Sequence, residues 1–181
     1  MAFLSRPTKS ETVTDWIPDD DWRTIVANAP IVSVDLLVRY DGGLVFGKRQ
    51  NEPVKGWWFL PGGRVQKGET RTEAVHRVAR EELGLSVEIV ESLGAFEHFY
   101  DTSDVPGVDS KHYLANGYVV DVGADDATAV GDVGAGDATA VGDFVTDDQH
   151  DEVRVFDAPP DPLHDHIRDY LDVASSLPEW P

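Results

Sequence analysis

Apolar and polar positions change period several times along the chain, and each change marks an element. Ile31–Tyr40 (IVSVDLLVRY) is β-branched and apolar and predicts a strand. Asp41-Gly42-Gly43 predicts a hairpin turn into a second strand over Leu44–Arg49. Asn51–Gly56 reads as a loop and Trp57–Leu60 as a short buried strand, which Pro61-Gly62-Gly63 breaks. Over Thr70–Leu83 the period becomes helical. Ala74, Val75, Val78 and Ala79 form an apolar stripe, Glu73, His76, Arg77, Arg80 and Glu81 lie outside it, and Gly84 supplies the stop. Val87–Tyr100 and His112–Val122 predict two further strands joined by the polar segment Asp101–Ser110, and Glu152–Phe156 a last short one. Pro162–Ser176 predicts a C-terminal helix with Leu163, Ile167, Tyr170, Leu171 and Ala174 on its apolar face. Residues 1–21 form a polar N-terminal arm whose Asp19-Asp20-Asp21 run caps a short helix over Trp22–Ala29.

One segment departs from this pattern. Val122–Asp132 (VGADDATAVGD) is followed by Val133–Asp143 (VGAGDATAVGD), a tandem copy that differs only at Asp125 against Gly136. Two small, acidic copies without aromatics make neither a solenoid nor a core of their own, so 122–143 reads as a duplicated surface loop. The remaining pattern describes a single domain over residues 1–181, which suits the length.

Charge then narrows the partners. Fifteen Lys+Arg against 34 Asp+Glu give a net charge of −19. Such a surface repels nucleic acid and anionic membranes. The acids are spread over nearly the whole chain, as expected of a protein kept soluble in concentrated salt, where screening acts over ~3 Å at 1 M. The absence of cysteine excludes disulfides, thiolate metal sites and cysteine nucleophiles. With no long apolar run and no basic, apolar leader, the expected compartment is the cytoplasm.

The chemistry concentrates in Gly63–Leu85, GRVQKGETRTEAVHRVAREELGL. Positions 69, 73, 77 and 81 recur at the helical spacing, so Glu69, Arg77 and Glu81 fall on one side, where Glu69 and Arg77 can pair and fix the preceding loop. Carboxylate oxygens are the ligands that Mg²⁺ favours, and the ion keeps room for substrate phosphates. This stretch resembles the Nudix box, the loop–helix–loop of the Nudix hydrolases, with one departure: Val78 stands where the family carries glutamate. Further words, GKR around Lys48, WWFLPGGRVQKGET, HFYD, HYLANGYVV and DDQHDEVR, resemble the GDP-mannose mannosyl hydrolase branch of the family, which lacks the same glutamate. The resemblance runs from about residue 20 to 170 and leaves out the repeat.

The resemblance implies an α/β Nudix fold, a mixed β-sheet between α-helices, and a set of roles. Mg²⁺ (or Mn²⁺) is held by the Gly62 carbonyl, Glu82 and Gln149. Arg64, Arg77 and Arg49 clamp the diphosphate of a nucleotide sugar. His98 and Tyr113 make further polar contacts to substrate, Asp35 stands beside the sugar, and His150 is the general base. Asp35 also stands out on its own, as a carboxylate inside an apolar run must be partnered or functional. His150, in Asp147–Asp151, reads locally as a residue of a polar loop. His76, His164 and His166 read as surface residues. The implied reaction is attack of water on the anomeric carbon of GDP-mannose, or of GDP-glucose, releasing GDP and sugar with inversion. A diphosphate is a good enough leaving group, once neutralised, to dispense with the general acid that an inverting glycosidase uses. Two other readings stay open: a pyrophosphohydrolase attacking phosphorus, and a non-catalytic module that binds nucleotide sugars, which the loss at Val78 would favour. The branch also implies a homodimer.

Overall fold

A computed structural model describes residues 17–123, 139–140, 150–177 and 180 of the chain. Helix α1 (Asp19–Asn28) leads into β1 (Ile31–Tyr40) and β2 (Gly43–Arg49), followed by the short strands β3 (Trp58–Phe59) and β4 (Gly62–Arg64). Helix α2 (Arg71–Val78) continues as a wider π-helical turn over Ala79–Leu83. Next come the long strands β5 (Val87–Tyr100) and β6 (Lys111–Val122), then β7 (Thr139–Ala140), β8 (His150–Phe156) and α3 (Asp165–Ala174). The strands form one sheet in the order β5-β6-β1-β2-β8-β7, with β3 attached to β2 and β4 to β1. The β1–β6 pair is parallel, from Ile31 opposite Tyr113 to Arg39 opposite Asp121, while the other pairs are antiparallel. The sheet is therefore mixed, as expected.

Alternation along β1 builds two different cores. Val34, Leu36 and Val38 face one side and join Ala74, Val75, Val78, Leu83 and Leu85 in an aliphatic core under α2. Leu37 faces the other side with Phe46, Trp58, Phe59 and α3 residues Ile167, Tyr170 and Ala174. A third cluster of Val26, Ile31 and Val105 seats α1 against the β5–β6 connection.

The hairpin at Asp41-Gly42 has positive φ at both residues, the backbone that a tight two-residue turn requires. Thr70 caps α2 in a reciprocal box. Its hydroxyl accepts from the Glu73 N–H at 3.2 Å, and the Glu73 carboxylate accepts from the Thr70 N–H at 2.7 Å.

Several expectations change in detail. Pro61-Gly62-Gly63 follows the end of β3, as expected, but Gly62–Arg64 then forms a strand of its own, because its backbone pairs with Ser33–Asp35 of β1. Glu69 precedes the helix cap, so it meets Arg77 from the loop and not from the helix side. His150 opens β8 opposite Arg49, beside a register shift at Lys48/Arg49, and is not a loop residue. The duplicated segment is not wholly loop either: Thr139-Ala140 of its second copy pairs with Val155 and Arg154 at the end of the sheet. The rest of the repeat and residues 1–16 of the arm lie outside the described residues.

Candidate active site

The candidate site lies beside β1, where Ser33 and Asp35 line a space shared with residues of β2, β4, β5 and β6. A cavity of about 480 Å³ opens there, a size suited to a small molecule. It is lined by Asp35 and Ser33 of β1, Arg49 of β2, Gly62 and Arg64 of β4, and His98, Lys111 and Tyr113 of β5 and β6. Six of the residues singled out from the sequence, Asp35, Arg49, Gly62, Arg64, His98 and Tyr113, thus meet at one cavity.

Glu82 reaches the same place from behind. It is 6% exposed, and its Oε2 accepts the Gly62 N–H at 2.9 Å, which draws the last carboxylate of the box against the strand that lines the cavity. Gly62 permits this close packing. A Cβ there would lie 2.5 Å from Asp35 Oδ1 and 2.9 Å from the Val34 carbonyl oxygen.

Arg77 does not line the cavity. Its Nε donates to Glu69 Oε1 at 2.8 Å, and its terminal nitrogens donate to Glu69 Oε2 at 3.0 Å, Glu81 Oε2 at 2.7 Å and the Arg64 carbonyl at 2.8 Å. These partners, led by the Glu69 hydrogen bond, hold the guanidinium charged more firmly than usual. The network ties loop, β4 and helix together, and it spends Glu69 and Glu81 on Arg77. Gln149 lies outside the described residues, as does the His150 side chain; the His150 backbone is opposite Arg49 on the cavity wall.

The electrostatics of the chamber are set by burial. Asp35 Oδ2 accepts the Tyr170 hydroxyl hydrogen at 2.8 Å. Burial pushes its carboxyl from 3.8 up to about 6, against the opposing pulls of the Tyr170 bond and of Arg49. His98 is pushed down to about 3 by burial and then by the neighbouring His166 and His164, so it is neutral wherever Asp35 is ionised. At 3.9 Å, His98 Nδ1 and Asp35 Oδ2 are too far apart for a hydrogen bond. Burial and the adjacent Asp35 also drive the Tyr170 and Tyr100 phenols upward, which keeps both protonated. Arg49 Nε is buried without a hydrogen-bond partner among the described residues, and its guanidinium lies 5.9 Å from the Phe59 ring centre.

Two histidines read as surface residues stand next to this wall through His98. The His166 ring stacks on His98 with centroids 4.2 Å apart, and His164 caps α3 with its ring 4.6 Å from that of His166. Both are half-buried, because the start of α3 packs against β5. Tyr170 was legible only as a member of an apolar stripe. The available signal was its i,i+4 spacing from His166, which puts two polar-tipped rings on one buried helix face. Its ring fills the space left by Gly117, where a Cβ would come within 2.7 Å of it. Among the described residues no cluster of three or more His, Asp or Glu side chains forms a metal site.

The model of the NUDIX domain matches residues 29–162. The chain is 48% identical to the low-salt glycan biosynthesis protein Agl8 of Haloferax volcanii, over 91% of this chain and 94% of that protein. It is 43% identical to the ADP-ribose pyrophosphatase of Methanocaldococcus jannaschii over 37% of this chain and 40% of that one. Among solved structures it is similar to a MutT NUDIX hydrolase from Burkholderia pseudomallei, with a TM-score of 0.59 at 26% identity, covering 80% of this chain and 98% of that one. With its box, its mixed sheet between helices and these relatives, the chain belongs to the Nudix family of hydrolases.

Proposed function

We propose that this Nudix hydrolase acts on a nucleoside diphosphate sugar of the GDP-mannose type, delivering water to the anomeric carbon and releasing the nucleoside diphosphate and free sugar. The observation that carries the proposal is Asp35. Its carboxylate is buried on the cavity floor beside Gly62, with the value of about 6 that a proton acceptor at neutral pH needs. Attack at phosphorus gives such a group no evident task, whereas a sugar lying over Asp35 brings its hydroxyls and the incoming water to it. The name of the Haloferax relative, a glycan biosynthesis protein, fits a nucleotide-sugar substrate.

His150 is the base that takes the proton from the attacking water, and its place opposite Arg49 supports this role. Asp35 orients that water and is a second proton acceptor in the same chamber. Arg49 and Arg64 line the cavity and hold the diphosphate. Arg77 orders β4 through the Arg64 carbonyl and so supports the clamp from behind.

The donor chemistry beside the cavity fits Mg²⁺ in the hard oxygens of the Glu82 carboxylate and the Gly62 carbonyl; the family resemblance adds Gln149, which lies outside the described residues. When bound, the ion neutralises the diphosphate as it leaves. Glu82→Gln is therefore expected to weaken Mg²⁺ activation far more than Glu81→Gln, since Glu81 is exposed and paired with Arg77.

Hydrolysis of GDP-mannose in ¹⁸O-water, in molar KCl to suit the acidic surface, tests the proposal. Label in mannose supports it. Label in phosphate would assign the chain to the pyrophosphohydrolases of the family.

A further inference from the structure

Lys111 and Asp104 belong to no role assigned so far, yet both line the cavity. The Lys111 side chain is only 5% exposed, against 47% for Asp104, with which it forms an ion pair. Its ammonium also lies 6.0 Å from the centre of the Tyr113 ring. Burying a lysine at a cavity wall is costly unless its donors are used, and an ammonium carries three of them.

The position of the pair along the sheet matters as much as its charge. Asp35 lies opposite Gly117 on β6, and Lys111 lies six residues further along that strand. At ~3.4 Å per residue the pair is roughly 20 Å from the sugar end. Tyr113 lies between the two ends. A nucleoside diphosphate sugar laid along this line, with its hexose over Asp35, brings its base to Asp104 and Lys111. Trp22 of α1 lines the same cavity and packs against the cluster that includes Val105, the neighbour of Asp104.

We propose that Asp104 and Lys111, with Trp22 as a stacking surface, form the subsite that selects the guanine base; the proposal rests on the nucleotide-sugar reading above and assigns the residues that choose its nucleotide. A carboxylate beside an ammonium calls for an edge with donors beside an acceptor. Phosphate offers acceptors alone and is repelled by Asp104. Guanine offers N1–H and N2–H to one carboxylate, side by side, with O6 next to them for the ammonium. Adenine presents one N–H group beside a ring lone pair, and uracil one N–H between two carbonyls, so neither gives the carboxylate two parallel donors. Such a paired, charge-assisted contact is the stronger and more selective one. The indole supplies stacking, which every base accepts and which therefore adds affinity without choice.

The test is calorimetric binding of GDP, ADP and UDP in molar KCl to the full chain and to Asp104→Asn and Lys111→Met. GDP is expected to bind at least about 10-fold more tightly than ADP or UDP, consistent with a site that loses hydrogen bonds to the wrong ligand. Asp104→Asn should erase that preference, leave ADP binding unchanged and favour xanthosine diphosphate, whose C2 carbonyl accepts from the new amide. Lys111→Met should weaken GDP more than ADP. Should Lys111→Met fail to fold, Asp104→Asn decides alone, with an unchanged melting temperature as its control. Equal binding of the three nucleotides, or a GDP preference that survives Asp104→Asn, overturns the proposal. Because binding is read without turnover, a GDP preference in a chain that labels phosphate would refute attack at carbon and leave the base assignment standing. Label in mannose without a GDP preference would do the reverse.

Discussion

The two faces of the sheet are built from the same strands and do opposite work. Under α2 the core is aliphatic: Val34, Leu36, Val38, Val75, Val78 and Leu85 meet there without a buried titratable partner on β1. On the α3 side, the same ten-residue strand presents Ser33 and Asp35 to the cavity, where Asp35 meets Tyr170 and His98 of β5 lines the same space. The first face spends its residues on stability. The second holds a carboxylate, an imidazole and two phenols away from water, and burial shifts all four from their ordinary values. A period-2 strand makes this division possible, because adjacent residues never share a face. The charged network of the box sits between the faces, where Arg77 binds β4 to the helix and Glu82 reaches Gly62.

Substitutions on the two faces should therefore fail in different ways. The largest effect is expected at the candidate site and in rate. His150→Gln is expected to lower kcat by ~10²–10⁴, the usual worth of a positioned base, with little change in KM. Asp35→Asn should lower kcat less, and the double variant should fall further than either if both groups accept the proton. Steady-state kinetics on the three variants reads this out. A near-normal kcat in His150→Gln with an unchanged pH profile would remove His150 from the mechanism.

The opposite face should lose stability and keep its rate. Leu85 is buried in the aliphatic core, and Leu85→Ala is expected to cost ~2–5 kcal/mol in urea unfolding. The kcat per folded molecule should be unchanged. A loss of rate without a loss of stability would show that the faces are not independent.

A third effect is smaller and depends on pH. Because burial raises Asp35 from 3.8 to about 6, the folded chain holds this proton more tightly than the unfolded chain does. The stabilisation from the neutral carboxyl is complete below about pH 4 and is lost as pH rises through about 6. In metal-free buffer, Asp35→Asn should gain on the order of 2–3 kcal/mol relative to wild type between these limits and pH 7. His98 works in the other direction, destabilising the fold as pH falls from 6.5 toward about 3, and it cancels when the variant is compared with wild type at each pH. Tyr170→Phe removes a bond that lowers the Asp35 value, so the kcat acid limb, where Asp35 controls it, should move upward. Unfolding curves across pH and a pH–rate profile measure the two shifts.

The smallest effect is expected from the repeat. Deleting Val133–Asp143 removes the strand residues Thr139-Ala140, but the first copy carries the same pair at Thr128-Ala129. One copy can take the place of the other against β8, so kcat and melting temperature should stay close to wild type. A large rise in KM at an unchanged melting temperature would show that the second copy positions the segment leading to His150.

Much of this was legible in the chain. The Nudix box, its missing carboxylate at Val78, the helix end at Gly84, the hairpin at Asp41-Gly42 and most strand limits follow from local periodicity and from glycine placement. The gathering of Asp35, Arg49, Gly62, Arg64, His98 and Tyr113 was implied by the family resemblance and not by periodicity, and the cavity brings these residues together. Glu69 was readable as a partner of Arg77 that ties the loop to the helix, although the contact is made from the loop and the helical spacing does not explain it.

Other features have no local signature. A pairing register decides that His150 opens a strand opposite Arg49, and register is a property of two segments distant in the chain. His164 and His166 read as surface from their own helix, yet they are half-buried because β5 lies against it. Tyr170 looked like one more apolar ring until α3 brought its hydroxyl to Asp35, 135 positions away. Asp104, inside the polar connection Asp101–Ser110, and Lys111, just after it, carried no sequence signal of a role, and only the folded sheet sets them against a cavity. The amino-acid sequence by itself determined the elements, the family and the inventory of chemistry, because those depend on neighbours along the chain. The tertiary structure alone decided which groups lose their water, and desolvation turns an ordinary carboxyl, imidazole or ion pair into a working part.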